Sequence, residues 1–254
     1  MSKVYLIKIA NKEYILKINH IDFIKEFYKQ KYLSGRCKFI RIPKVYNIAV
    51  KNNKAIALME FIPHQKNKLR LNEILDVIYE FHKETENVQS NIFITYDFNA
   101  FYKELVMIRT YLPPILKSQT KKQLKEFFAE IFDSKYSIIH GDFHEDQIIK
   151  NKNYYLIDFI SSFYGPKILD YAYIFKYDKK IKKQVLICSA GEKKIPNKEM
   201  VSKFLKSLVI ILISDIFWCV NRRKYEHKSF ATQILKANRA INRNMAAIID
   251  TISN

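Results

Sequence analysis

Apolar and polar residues alternate along "KVYLIKI" (3–9) and again along "EYILKIN" (13–19), with "ANK" between them. A period of two is the mark of a half-buried strand, so the two runs predict a hairpin. The period then changes. In "IDFIKEFYKQKYL" (21–33), Phe23, Phe27 and Tyr28 recur at helical spacing, Asp22 stands near the start, and Ser34-Gly35 follows as a stop. That predicts a helix. "KVYNIAV", the turn-like "KNNK" and "AIALMEFI" predict a second hairpin ending before Pro63.

Beyond Pro63 the spacing is mostly helical. In "LNEILDVIYEFHKE", residues Ile74, Leu75, Ile78, Phe81 and His82 form one stripe, and segments 98–111, 119–132, 198–220 and 229–252 read the same way. The run "LVIILI" (208–213), continued by "SDIFWCV", is the longest apolar stretch. Asp215 lies inside it and about 20 apolar residues are needed to span a bilayer, so a buried helix is expected, not an anchor. No internal repeat or low-complexity linker is visible. The pattern predicts an α+β protein with a β-rich part over residues 1–63 and a mainly helical part over residues 64–254.

Composition adds less. The 254 residues are 48% hydrophobic, enough for a sizeable core, and Lys plus Arg exceed Asp plus Glu by 44 to 25, a net charge of +19. Such a balance would suit nucleic acid, an anionic membrane surface or a phosphorylated ligand. The lysines are scattered, however, and Ile, Asn, Tyr and Phe are abundant alongside them with no nucleic-acid module, which points to coding bias. Cys37, Cys188 and Cys219 are far apart and odd in number, as expected of reduced thiols in a cytoplasmic protein. The alternating N-terminus lacks the apolar core and cleavage site of a signal peptide.

The chemistry concentrates in "SIIHGDFHEDQIIKNKNYYLIDF" (137–159). If "NKN" turns the chain, residues 146–150 pair with 153–157 and Asp158 returns beside Glu145 to Gln147, with opposed residues about 5 Å apart. Asp142 sits just upstream. Two carboxylates and an amide would then converge, able to hold a divalent cation and orient a hydroxyl, as phosphoryl transfer requires. Other readings explain less. His140 and His144 are four apart, but Gly141 breaks any helix between them and no third zinc ligand is evident. A glycosidase-like carboxylate pair lacks the usual barrel strands, and a surface turn accounts for any single acidic residue but not for the set.

"HGDFHEDQ" followed by "IDF" resembles the catalytic segment of the aminoglycoside phosphotransferase and choline kinase family, a branch of the protein-kinase-like fold. The family pattern is H-G-D, four residues, Asn, then a second Asp after a short hairpin, a Gly seven residues later and an Asp twelve residues later. Here these are Asp158, Gly165 and Asp170, the last two in "ISSFYGPKILDYA". The resemblance implies a two-lobed protein-kinase-like fold, with a small antiparallel β lobe carrying one helix and a large helical lobe. It implies that Asp142 is the catalytic base, that Asp158 and Gln147 ligate magnesium, and that His140 and Asp170 buttress the loop.

Lys17, in the middle of an apolar strand, and Glu26, on the next helix, match the family's phosphate-binding lysine and its partner. Glu60, Phe61 and Ile62 would meet adenine through backbone groups. The likeness runs over roughly residues 3 to 175. Two departures stand out: position 147 is Gln where the family has Asn, and the first glycine is Gly35, leaving no place for the family's first strand and phosphate-covering loop.

The function so implied is an ATP- and magnesium-dependent phosphotransferase acting on a hydroxyl of a small molecule. Lys176, Lys179 and Lys180 offer cations for an anionic acceptor, or simply a solvated face. The alternatives are an atypical protein kinase on the same fold, or a non-catalytic nucleotide-binding scaffold.

Overall fold

Both hairpins form, and each turns on two residues with positive φ. Strands β1 (Lys3–Ile9) and β2 (Lys12–His20) are joined through Ala10 at φ 46° and Asn11 at 63°. Strands β3 (Val45–Lys51) and β4 (Lys54–Glu60) are joined through Asn52 at 49° and Asn53 at 58°. Two-residue loops of this hand match the twist of the flanking strands, and asparagine tolerates them well. The computed structural model describes residues 2–63, 68–86, 88, 90–132, 136–177, 197–222 and 230–253.

The chain divides into two compact units: Met1–Ile94 with Ser137–Tyr164, and Thr95–Tyr136 with Gly165–Asn254. In the first, the strands form one antiparallel sheet in the order β1-β2-β4-β3. The predicted helix over 21–33 begins as a 3-10 turn, Ile21–Phe23, and continues as α1 (Ile24–Ser34), ending at Gly35. Its Phe27 packs with Val45, Ala55, Ala57 and Met59 of the sheet, and Ile15, Ile24 and Ile48 flank that cluster.

Helix α2 (Leu71–Thr85) buries the predicted stripe, and it also organises the loops around it. The Glu84 carboxylate accepts from the backbone N–H groups of Lys38, Phe39 and Ile40 at 2.6, 2.9 and 3.2 Å. Glu73 accepts from Lys150 Nζ at 2.6 Å and Tyr154 Oη at 2.8 Å. The Lys150 bond above all, then the Arg70 backbone N–H, holds the Glu73 carboxyl well below the usual carboxylate range.

The second unit is helical: α3 (Phe98–Met107), α4 (Pro114–Lys117), α5 (Lys121–Phe132), α6 (Ile168–Phe175), α7 (Lys198–Arg222) and α8 (Phe230–Ser253). Helix α7 packs against α3, α5, α6 and α8. By length and composition it could cross a membrane, yet every residue from Leu208 to Ile213 is buried within the unit. A long helix whose apolar central turns are enclosed by other helices is a core helix. The fold is α+β, one four-stranded antiparallel sheet together with helices.

Candidate active site

The first unit carries nearly all the residues singled out above. Lys17 lies on β2, paired in register with Val4 and Ala57, and its ammonium donates to Glu26 on α1. Its side chain is only 14% exposed, so without an anionic partner the charge would be costly. Asn19 Nδ2 donates to the other Glu26 oxygen at 3.1 Å. Burial pushes the Glu26 carboxyl above the usual range, against the pull of the Lys17 ammonium. A second carboxylate reaches the same ammonium, since Asp158 Oδ1 stands 3.7 Å from Lys17 Nζ.

Asp158 follows a short hairpin. Strand β5 (Tyr136–Ile139) leads into the loop of Gly141 and Asp142, a 3-10 turn covers Glu145–Gln147, and β6 (Ile148–Lys150) pairs with β7 (Tyr154–Leu156). The register is Ile148 to Leu156 and Lys150 to Tyr154, one residue off the predicted pairing of 146–150 with 153–157. The turn takes three residues because the Asn151 N–H donates to Asn153 O at 3.0 Å. The Ile157 N–H still donates to Gln147 O at 3.0 Å, so Asp158 leaves the hairpin next to the residue paired with Gln147. Arg41 extends this small sheet: its N–H donates to Tyr154 O and its carbonyl accepts from Leu156 N–H, each at 2.9 Å.

Three conformational devices hold the loop. His140 is fully buried, and its Nε2–H donates to Ile157 O at 2.8 Å, tying the entry of the loop to the exit of the hairpin. Gly141 has φ 78°, and a Cβ built there would lie 2.4 Å from the backbone oxygen of Ser161. Asp158 itself has φ 65°, a left-handed conformation that is sparsely populated outside glycine and clusters at functional sites. Asp142, His144 and Gln147 form the polar cluster beside these. His144 Nε2 lies 3.8 Å from Asp142 Oδ1 and 3.1 Å from Gln147 Nε2.

A family model described as "Phosphotransferase enzyme family" matches residues 2–185 of this chain. The chain belongs to that family. No match emerged among curated proteins. Among solved structures, this phosphotransferase-family chain is similar to an aminoglycoside phosphotransferase APH(4)-Ia variant in a ternary complex with AMP-PNP and hygromycin B. The TM-score is 0.65 at 11% identity, covering 95% of this chain and 90% of the other. It is also similar to an ethanolamine kinase from Plasmodium vivax, with a TM-score of 0.62 at 13% identity, covering 95% and 82%.

Of the other predicted residues of this family member, Glu60 and Ile62 belong to the first unit and Asp170 to the second. The Glu60 carboxylate accepts from the Lys44 N–H at 3.0 Å, where β4 meets the start of β3, and Ile62 is buried two residues on. Asp170 is fully buried on α6, in the second unit. Lys176 is not a free cation: it donates to Asp215 Oδ1 at 3.0 Å and lies 3.6 Å from the Tyr173 ring centroid. Lys179, Lys180 and Cys188 lie outside the described residues.

Two residues escaped the sequence reading. Asn19 had a legible signal, since it follows Lys17 by two along a strand and so shares its face. The other is Lys29, one helical turn after Glu26. Its buried ammonium donates to Ser162 O at 2.5 Å and Ile160 O at 3.3 Å, fastening α1 to the loop that follows Asp158.

Burial, with a smaller push from the Lys25 charge and opposed by Glu26, lowers the Lys29 pKa from the ordinary 10.5 to about 8. Between those values the native chain binds fewer protons than the unfolded chain, so stability withheld below pH 8 is recovered as pH rises through the window. Relative to Lys29→Met, wild type should therefore gain melting temperature from about pH 8 toward about pH 10. A difference that stays flat across that range would contradict this.

Proposed function

We propose that the chain is a small-molecule phosphotransferase that uses ATP and magnesium and delivers the γ-phosphoryl group to a hydroxyl. The observation that carries this is Lys17, held between Glu26 and Asp158 on the same unit as the Asp142 loop. The donor set suits a hard cation, because the Gln147 side-chain carbonyl and the Asp158 carboxylate are both oxygen ligands. Among the described residues no group of three or more His, Cys, Asp or Glu is placed to hold a metal. A magnesium ion here would therefore take much of its coordination from nucleotide phosphates and water, as this ion commonly does.

When bound, magnesium with ATP would supply the transferable phosphoryl group and neutralise its charge. The chain's own residues bind and orient. Lys17 offers its ammonium to phosphate oxygens, and Glu26 keeps it extended toward them. Leu6 and Ile15 are paired across β1 and β2 on the face that carries Lys17, which gives a flat ring such as adenine an apolar surface beside Glu60 to Ile62. Asp142 accepts the proton of the acceptor hydroxyl and aims its lone pair. On this reading residues 1–63 bind the nucleotide, residues 64–254 carry the catalytic and metal-binding groups and the acceptor pocket, and the protein works in the cytoplasm.

ATP and magnesium together should raise the melting temperature where neither alone does, adding about 2.7 kcal/mol at a hundred times the dissociation constant. Phosphate transfer is then followed across amino sugars, choline-like alcohols, nucleosides and acidic proteins. Transfer to a protein alone would favour the protein-kinase reading. Magnesium-dependent binding with no transfer to any acceptor or to water would favour the nucleotide-binding scaffold.

A further inference from the structure

The proposed metal ligand Gln147 has one more rotatable bond than the asparagine of the family pattern, and its terminal torsion is broad and roughly two-fold. Something must decide which end of the amide faces the cation. His144 is placed to do it. The 3-10 turn Glu145–Gln147 begins at His144, and in such a turn residues three apart eclipse one another. The Gln147 N–H donates to His144 O at 3.0 Å, and Gln147 Nε2 lies 3.1 Å from His144 Nε2.

The Asp146 carboxylate only accepts, so Nε2 is left to take the amide N–H and the ring proton is assigned to Nδ1. That nitrogen faces Asp146 Oδ2 at 3.5 Å. With Nε2 committed to Gln147, the ring has no proton to give Asp142 Oδ1, 3.8 Å away. The amide nitrogen is thereby turned to the imidazole and Oε1 is turned from it.

We propose that His144 is a positioning residue that orients the Gln147 amide so that its carbonyl oxygen, not its nitrogen, is presented to the cation. This rests on the assignment of Gln147 as a metal ligand. Partners that orient a metal ligand in this way typically account for about 10–100-fold in metal affinity.

The test is a double-mutant cycle read as metal binding, not turnover. Mn2+ is titrated into the protein with ADP, and free Mn2+ is followed by electron paramagnetic resonance for wild type, His144→Phe, Gln147→Ala and the double variant. His144→Phe should weaken Mn2+ binding by about tenfold. It should have no further effect once Gln147 is alanine, and ADP affinity without metal should be unchanged. Losses that simply add, or a His144→Phe variant that binds Mn2+ as wild type does, would overturn the inference while leaving the phosphotransferase reading intact. Wild-type protein that binds no metal with ADP would overturn both.

Discussion

Replacing Asp142 with asparagine should leave magnesium-dependent nucleotide affinity nearly intact while turnover falls by roughly 10²–10⁴-fold, the range expected when a positioned general base is lost. Replacing Asp158 should do the reverse, removing the difference between nucleotide affinities measured with and without magnesium. The structure dictates which substitution is clean. Asp158 has φ 65°, so alanine would add backbone strain of about 1–2 kcal/mol to the lost charge. Asparagine tolerates that conformation and removes the charge alone. Asp158→Asn and Asp142→Asn are therefore compared by calorimetric titration with ATP, with and without magnesium. Affinities that fall equally in both would refute the division of roles, because then neither carboxylate belongs to nucleotide or acceptor in particular.

Gly141→Ala should damage the fold and the site together. Its Cβ would meet the Ser161 oxygen at 2.4 Å, the Ser161 carbonyl carbon at 3.1 Å and Phe163 Cε1 at 3.3 Å, at a φ of 78°. The dihedral alone costs about 1–2 kcal/mol. The obstruction is backbone, which cannot rotate aside, so the loop after Asp158 and the loop of Asp142 must move apart. A fall in melting temperature of about 5 °C or more is expected, with turnover lost even where the protein remains folded. Gly35→Ala is the control. Its nearest neighbour is the Tyr32 oxygen at 4.0 Å and its φ is −89°, so it should stay close to wild type. Equal effects at the two glycines would show that the 141–161 approach is not what holds the site.

Much of the fold was legible because its causes lie in short windows. Period-two runs and asparagine-bearing turns made both sheet hairpins readable, and 3.6-residue stripes marked α2, α5, α7 and α8 to within a few residues. The pairing of Lys17 with Glu26 was readable too, since a lysine amid apolar strand residues needs an anion and the next helix offered one. The hairpin after Gln147 was legible in kind but not in register, because a one-residue difference depends on how many of Asn151, Lys152 and Asn153 the turn consumes.

What the sequence by itself determined is the set of elements and the order in which chemically distinctive residues enter them. That order, with the spacing of His140, Asp142, Gln147 and Asp158, was enough to point to phosphoryl transfer. Only the tertiary structure decided which charges are spoken for and which loops are held. Lys29 reaches carbonyls 131 and 133 residues away, Glu84 caps a loop that precedes it by more than forty, and Lys176 finds Asp215 across 39. The physical reason is that periodicity and turn chemistry are local, set by sterics and backbone hydrogen bonds within a few residues. The partner of a buried charge is set instead by where distant segments meet, and no window of sequence contains both ends of that contact.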